Sequence, residues 1–174
     1  EDPGEDRLPG INQGQPNVKG GLTFAAALRS ILRSDPDIVL LGEIRDHETA
    51  QIAIEAALTG HLVLSTLHTN DAPSAITRLT EMGIEPFLVG SALDCVLAQR
   101  LARKLCPKCK EAYIPSREMM TENRFTWSAD EALPTLYRPI GCSACSKTGY
   151  KCRLALHELM AVSEHLHLLA CAHA

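Results

Sequence analysis

Along the first hundred positions, segments with apolar residues at helical spacing alternate with short, unbroken aliphatic runs. A spacing of three and four residues predicts an amphipathic helix over 22–33, which ends before the Asp35-Pro36 pair. The unbroken aliphatic run at 38–41 predicts a strand buried on both faces. Further patterns predict a strand at 61–67 and helices at 47–58, from Pro73 onwards and at 86–98. This alternation of strands and helices predicts an α/β fold with a mainly parallel sheet.

The pattern changes at Cys106, where two cysteine pairs enclose a polar, irregular insert. Beyond the second cysteine pair, the sequence pattern predicts a strand or extended segment over 153–162 and a closing helix over 163–172. We therefore expect a core over 1–105, a cysteine subdomain over 106–150 and a C-terminal segment of the core over 151–174.

Composition narrows the class of protein. With 174 residues, 45% of them hydrophobic, the chain is long enough for a real core, and no apolar run reaches membrane-spanning length. A formal charge of -4 argues against a nucleic-acid partner. The charged start of the chain is not a signal peptide, so we expect a cytoplasmic protein. Because the chain begins with Glu1 and not with Met, we also expect it to be a piece of a longer protein.

Glu43 follows the first aliphatic run directly. The carboxyl edge of a parallel sheet is where ligands bind, so this carboxylate can hold Mg²⁺ through water or orient an attacking water. The alternative is a structural ion pair with Arg45.

Two histidines flank the second predicted strand. In one continuous strand, His61 and His68 would lie roughly 23 Å apart, so they cannot share one centre. His68 is predicted at the same edge as Glu43, where an imidazole can bond a terminal phosphate. A structural role remains open for either histidine.

An acidic run opens the chain, and no phosphate loop accompanies it. Glu1, Asp2 and Glu5 suit a Mg²⁺ and water site, although such a run is also typical of a solvated terminus. The sequence contains no GxxxxGK[ST] motif, the usual cradle for a β-phosphate.

The motifs CPKC and CSAC predict a metal site. Two short turns can present four thiolates to one tetrahedral Zn²⁺, namely Cys106, Cys109, Cys142 and Cys145. The 32 intervening residues exceed the usual spacing, so a redox pair or buried thiols remain alternatives. Such a closed site is structural. Cys152 is a reserve ligand, and Cys95 and Cys171 are predicted core residues.

Several stretches together resemble the type II secretion and type IV pilus assembly ATPase family over nearly the whole chain. They are EDPGEDRLPGINQGQPN, GLTFAAALRSILRSDPDIVLLGEIRD, AALTGHLVLSTLHTNDAPSAITRL, the two cysteine motifs and TGYKCRLALHELM. The resemblance implies part of a RecA-like P-loop ATPase core with a zinc subdomain, a hexameric ring, and ATP hydrolysis with Mg²⁺. It also implies a cytoplasmic position, peripheral at the inner membrane on secretion platform proteins.

The resemblance also implies roles by position. Glu43 matches the Walker B glutamate, and Glu1 and His68 are the other catalytic candidates. Nucleotide and Mg²⁺ association is expected for Asp2, Glu5, Arg45 and His61, and Zn²⁺ binding for the four motif cysteines. The tetracysteine motif favours secretion or pilus assembly over pilus retraction.

Some positions depart from the family pattern. Cys152 stands where Gly is expected, and Leu154-Ala155 replaces a small or polar residue plus Gly. Gly4 and Asp6 stand where an aliphatic and an aromatic residue are typical. The resemblance implies that the Walker A loop lies upstream of Glu1, so we expect negligible ATP turnover by this chain alone. The alternatives are a pilus assembly ATPase fragment and a non-catalytic, zinc-bearing interaction module.

Overall fold

The computed structural model describes residues 8–125 and 132–172. The chain forms two compact units, residues 1–98 with 157–174, and residues 99–156. The helices are α1 (Phe24–Leu32), α2 (His47–Leu58), α3 (Ser74–Glu81), α4 (Pro86–Ala92), α5 (Arg117–Glu122) and α6 (Glu164–Ala172). The strands are β1 (Ile38–Leu40), β2 (Leu62–Leu64), β3 (Cys95–Leu105), β4 (Glu111–Tyr113), β5 (Leu136–Arg138) and β6 (Tyr150–Ala161).

Side-chain caps set the starts of α1 and α2. Thr23 Oγ1 accepts the Ala26 N–H at 3.1 Å, and Asp46 Oδ1 accepts the Thr49 N–H at 2.8 Å. The Thr49 hydroxyl also donates to Asp46, so this buried polar side chain has its hydrogen bond. Helix α2 has the predicted bounds because its cap and its apolar face agree.

Strands β1 and β2 pair in parallel, with Val39 opposite Val63. The prediction that the run at 38–41 forms a strand buried on both faces is wrong for the described residues. Val39 is buried, but Ile38 and Leu40 on the other face are 62% and 67% exposed. The aliphatic run therefore predicts the strand correctly, but no described residues cover the second face of that strand.

The core of the first unit is aliphatic. It packs α1, α2, α3 and α4 around β1, as shown by the buried residues Leu28, Val39, Ile52, Leu79 and Val89. Gly90 in α4 lies so close to α6 that an added Cβ would be 2.8 Å from His167 Cδ2. Helix packing on one face of β1 thus fixes the strand ends that follow.

The predicted helix over 86–98 is too long. Helix α4 ends at Ala92, and β3 begins at Cys95 and pairs with β6. Pairing with a distant strand overrides the helical spacing of these apolar residues. As a consequence, Cys95 is exposed rather than in the core. Cys171, the other cysteine predicted in the core, lies on α6 and is half-buried.

The second unit contains the antiparallel pair β4–β5, in which Ala112 lies opposite Tyr137. Arg138 donates to Glu111 across the pair at 2.8 Å, and the Lys110 ammonium lies 4.0 Å from the Tyr137 ring centroid. The described parts of the insert, 110–125 and 132–141, therefore contain regular structure that its composition does not predict. The subdomain boundaries at 105 and 150 stay a prediction.

Among the helices of residues 8–125 and 132–172, none has the length and apolar character needed to cross a membrane.

Candidate functional sites

The first candidate site lies where β1 and β2 end. Leu41 N–H donates to Leu64 O at 2.8 Å and Ile44 N–H donates to Thr66 O at 3.1 Å, so the parallel pairing continues past both strands. The Thr66 hydroxyl adds a bond to Gly42 O at 2.7 Å. This backbone ladder brings the segments after the two strands to one edge.

Glu43 and His68 meet at this edge. His68 Nε2–H donates to Glu43 Oε2 at 3.0 Å, and Arg45 donates to Glu43 Oε1. The Glu43 side chain is 17% exposed, whereas that of His68 is 89% exposed. The Glu43 carboxylate is therefore bound at both oxygens, and its two partners, Arg45 and His68, are exposed to solvent.

The electrostatics of the edge favour an ionised Glu43. The Arg45 guanidinium beside it is the main cause that lowers the Glu43 pKa, and the His68 bond lowers it further, against partial burial. A carboxylate kept charged can bind a cation through water or accept a proton from water. The two interpretations of Glu43 are thus compatible, because it is both a partner in an ion pair and a charged acid at the strand end.

His61 lies at the other end of β2 and does not share this edge. Its Nδ1–H donates to Ala56 O at 3.0 Å, with Thr59 Oγ1 3.3 Å away, so it caps the end of α2. The candidates Glu1, Asp2 and Glu5 lie outside the described residues.

The second candidate site is the cysteine cluster, whose four Sγ atoms all lie within 4.8 Å of one another. The distances are 3.9 Å for Cys106–Cys142 and 3.8 Å for both Cys109–Cys145 and Cys142–Cys145. A tetrahedron with Zn–S bonds of about 2.3 Å has S–S edges of about 3.8 Å. The cluster therefore has the dimensions of a four-thiolate zinc site, and all four cysteines are free of disulfides.

Backbone N–H groups and burial give the thiols unequal acidity. The N–H groups of Cys142 and Gly149 each donate to Cys145 Sγ at 3.2 Å, and the pKa of this thiol falls to about 6, chiefly through Cys142. Burial raises the pKa of Cys109 to about 11. A bound cation would compensate the charge that burial penalises at Cys109.

Two glycines let the second cysteine turn close. Gly141 and Gly149 have φ values of +103° and +76°, and an added Cβ would lie 2.5 Å from Lys147 O and 2.4 Å from Pro139 Cβ, respectively. The turn also places Ser146 and Lys147 in the left-handed region. Cys152, the reserve ligand, is exposed and is not in the cluster.

The structure shows two contacts near the first site that the sequence did not indicate. The Thr66 hydroxyl donates to Gly42 O across the strand ends. Four residues after His68, the Ala72 N–H donates to Glu158 Oε2 at 2.8 Å. The only available signal for Glu158 was its place in the stretch TGYKCRLALHELM.

Comparisons with known proteins identify the family to which the chain is similar. A family model described as "Type II/IV secretion system protein" matches residues 1–173. The type IV pilus assembly ATPase PilB of Thermus thermophilus is 55% identical over 95% of this chain and 19% of its own length. The type II secretion system protein E of Pseudomonas aeruginosa is 54% identical over 97% of this chain and 33% of its own length. The chain thus spans a fifth to a third of these relatives.

Solved structures show the same fold. The crystal structure of the pilus retraction motor PilT with bound ADP has a TM-score of 0.59 and 26% identity, covering 92% of this chain and 36% of that one. The ATPase DotB of Legionella pneumophila has a TM-score of 0.53 and 23% identity, covering 90% of this chain and 32% of that one. With the cysteine cluster, these likenesses confirm the predicted fold class, a partial ATPase core of this α/β type with a tetracysteine subdomain.

Proposed function

Because the chain belongs to the Type II/IV secretion system protein family, we propose that it is part of an ATPase that powers type II protein export as a hexameric ring. The ring would act at the cytoplasmic side of the inner membrane on platform proteins. Relatives named for type II secretion and for type IV pilus assembly have similar identity to this chain, so pilus assembly is the alternative of the same class.

The observation that carries the proposal is the contact between Glu43 and His68 at the ends of β1 and β2. Glu43 is proposed to orient the attacking water or to hold Mg²⁺ through water. Arg45 is largely exposed, so its ion pair with Glu43 is weak enough to exchange for a ligand. His68, also exposed, is proposed to bond the terminal phosphate and to report its loss.

The remaining roles rest on the family resemblance, and one of their residues, His61, lies at the other end of β2 from this edge. When bound, ATP with Mg²⁺ supplies the phosphoryl group and the charge neutralisation. Glu1 is proposed as a further catalytic carboxylate, and Asp2, Glu5 and His61 as nucleotide- or Mg²⁺-associated residues. The 174 residues hold no GxxxxGK[ST], so the phosphate cradle is proposed to come from a segment outside them, and the chain alone to be inactive.

The four cysteines are proposed to bind one structural Zn²⁺, since a closed four-thiolate site leaves no position for substrate. We propose the division into a core over 1–105, a zinc subdomain over 106–150 and a C-terminal core segment over 151–174.

The test is a chimera in which this chain replaces the segment that it matches in the Thermus PilB relative. We expect Mg²⁺-dependent ATP hydrolysis, and a fall in kcat of about 100-fold or more for Glu43→Gln with little change in KM. The matched control is Glu48→Gln on α2, which should keep its activity. A folded chimera that binds zinc but does not hydrolyse ATP, or an active Glu43→Gln variant, would refute the proposal.

A non-catalytic interaction module is a second candidate, favoured by the charge of one unit. Residues 99–156 contain 11 Lys and Arg against 5 Asp and Glu, a formal charge of +6 that the whole-chain value of -4 conceals. An acidic protein partner would suit this unit. Zinc-dependent, salt-sensitive capture of a platform protein without nucleotide would support this function, and its absence would count against it.

A further inference from the structure

We infer that Glu158 is a positioning residue that holds the segment carrying His68 against Glu43. This inference rests on the proposed function of that pair. It assigns a role to the acidic residue of the HELM stretch near the end of β6, which the site as described does not use.

The segment that carries His68 is fixed before the histidine by strand pairing. Thr66 binds the β1 side twice, through its hydroxyl to Gly42 O at 2.7 Å and through its carbonyl, which accepts the Ile44 N–H at 3.1 Å. These bonds set the position of the chain two residues before His68, and the Thr69 N–H donates to Leu67 O at 3.1 Å across the histidine.

Glu158 supplies a fixed point after the histidine. Its Oε2 accepts the Ala72 N–H at 2.8 Å, although the two residues are 86 positions apart. Ala72 is 0% exposed, so its N–H has no access to water and an unmade bond there would be costly.

Ala72 joins this anchor to the start of α3. Ala72 O accepts the Ala75 N–H at 3.2 Å, and Asp71 Oδ1 accepts the Ser74 N–H at 2.9 Å. The chain between Thr66 and the first turn of α3 is thereby held at both ends. Since His68 is 89% exposed, packing restrains its ring little, and the backbone course decides whether Nε2 reaches Glu43.

Two mild substitutions separate the hydrogen bond from the charge. Glu158→Gln keeps the side-chain length and an acceptor oxygen but removes the charge. Glu158→Asp keeps the charge but is one methylene too short for the 2.8 Å bond to Ala72. Glu164→Gln, in the first turn of α6, is the matched control for loss of one acidic charge.

The readout is the NMR signal of the His68 ring in this chain without nucleotide, compared with and without Glu43→Gln. In the chain that is otherwise unchanged, Glu43→Gln should shift the His68 signal. The same substitution should produce the same shift in chains that also carry Glu158→Gln or Glu164→Gln. Glu158→Asp should reduce the shift by at least half and increase hydrogen exchange at the Ala72 amide several-fold. The Thr49 amide, capped by Asp46, reports that the fold is intact.

An unchanged shift in Glu158→Asp, or equal loss in the Asp and Gln variants, would overturn the inference. Because the readout needs no ATP, its outcome is independent of the chimera that tests hydrolysis. A chimera without activity would refute the proposed function and leave the positioning of His68 by Glu158 standing as a structural finding.

Discussion

The edge at Glu43 and the cysteine cluster differ in what holds their residues in place. The edge rests on a unit with a broad aliphatic core, which includes Leu28, Ile84 and Val89. In the described part of residues 99–156, the buried apolar side chains are Pro115, Met120 and two of the cluster's own cysteines, Cys106 and Cys145. The second unit therefore has its candidate metal site where a core would be, and a metal is expected to supply folding energy there.

The two sites also differ in completeness. The cluster presents four ligands at zinc dimensions, all from this chain. The edge presents one carboxylate with two exposed partners, and the sheet beside it leaves Ile38 and Leu40 uncovered. The cluster is therefore closed and supplied by this chain alone, whereas we propose that the open edge needs further residues.

Removing the cluster should have the largest effect. Replacing Cys106 and Cys145 by Ser should abolish zinc binding and the cooperative unfolding of residues 99–156, because structural zinc in small domains contributes about 10 kcal/mol or more of binding free energy. Metal analysis and limited proteolysis measure both effects. Cys152→Ser, outside the cluster, should keep about one zinc per chain. Wild-type stability without zinc would break the comparison.

Gly149→Ala should come next. Its Cβ would lie 2.4 Å from Pro139 Cβ at a φ of +76°, so we expect a loss of about 2–4 kcal/mol of unfolding free energy, from backbone strain and overpacking. Denaturant unfolding measures this loss. Gly14→Ala meets nothing within 4 Å and should change stability by less than about 0.5 kcal/mol. Equal effects of the two substitutions would contradict the close turn.

Cys152→Gly should stabilise the second unit slightly. Cys152 has a φ of 66°, a left-handed conformation that costs a side chain about 1–2 kcal/mol, against a smaller entropic cost for Gly. A net gain of about 1 kcal/mol is expected by denaturant unfolding. Cys95→Gly, also an exposed cysteine but without a positive φ, should lose about 0.5–1 kcal/mol. Stabilisation by both or neither would refute the strain at Cys152.

Arg45→Ala should have the smallest effect, confined to the titration of Glu43. Since the pKa of Glu43 is lower than its ordinary value of 4.5, its contribution to stability is present above that value and is lost as pH falls through the lowered pKa. Arg45→Ala should raise the pKa of Glu43, because the guanidinium is the main cause of the shift. Carbon NMR of the Glu43 carboxyl measures it, and Arg78→Ala, whose partner is Glu81, should leave it unchanged.

Sequence reasoning predicted features that depend on local signals. The bounds of α2 followed from the apolar spacing of its residues, and the cysteine cluster followed from two short motifs. The end of α4 and the exposure of Cys95 depend on the pairing of β3 with β6, a contact between distant segments that periodicity does not encode. The same holds for Glu158, whose partner is 86 residues away.

The Cys152 position shows a second kind of information. The family resemblance predicted Gly there, and the structure gives the physical reason, a φ of 66°. The burial of β1 was predicted wrongly because an aliphatic run reports which faces a strand can bury. It does not report whether the covering residues belong to the same 174 residues.

The most direct test of the central claim is titration of this 174-residue chain, loaded with zinc, with a fluorescent ATP analogue and Mg²⁺. The account predicts no binding at micromolar concentrations, because the open edge lacks a phosphate cradle while the closed site is intact. Micromolar, Mg²⁺-dependent binding that Glu43→Gln abolishes would contradict it, since the edge would then be a complete nucleotide site.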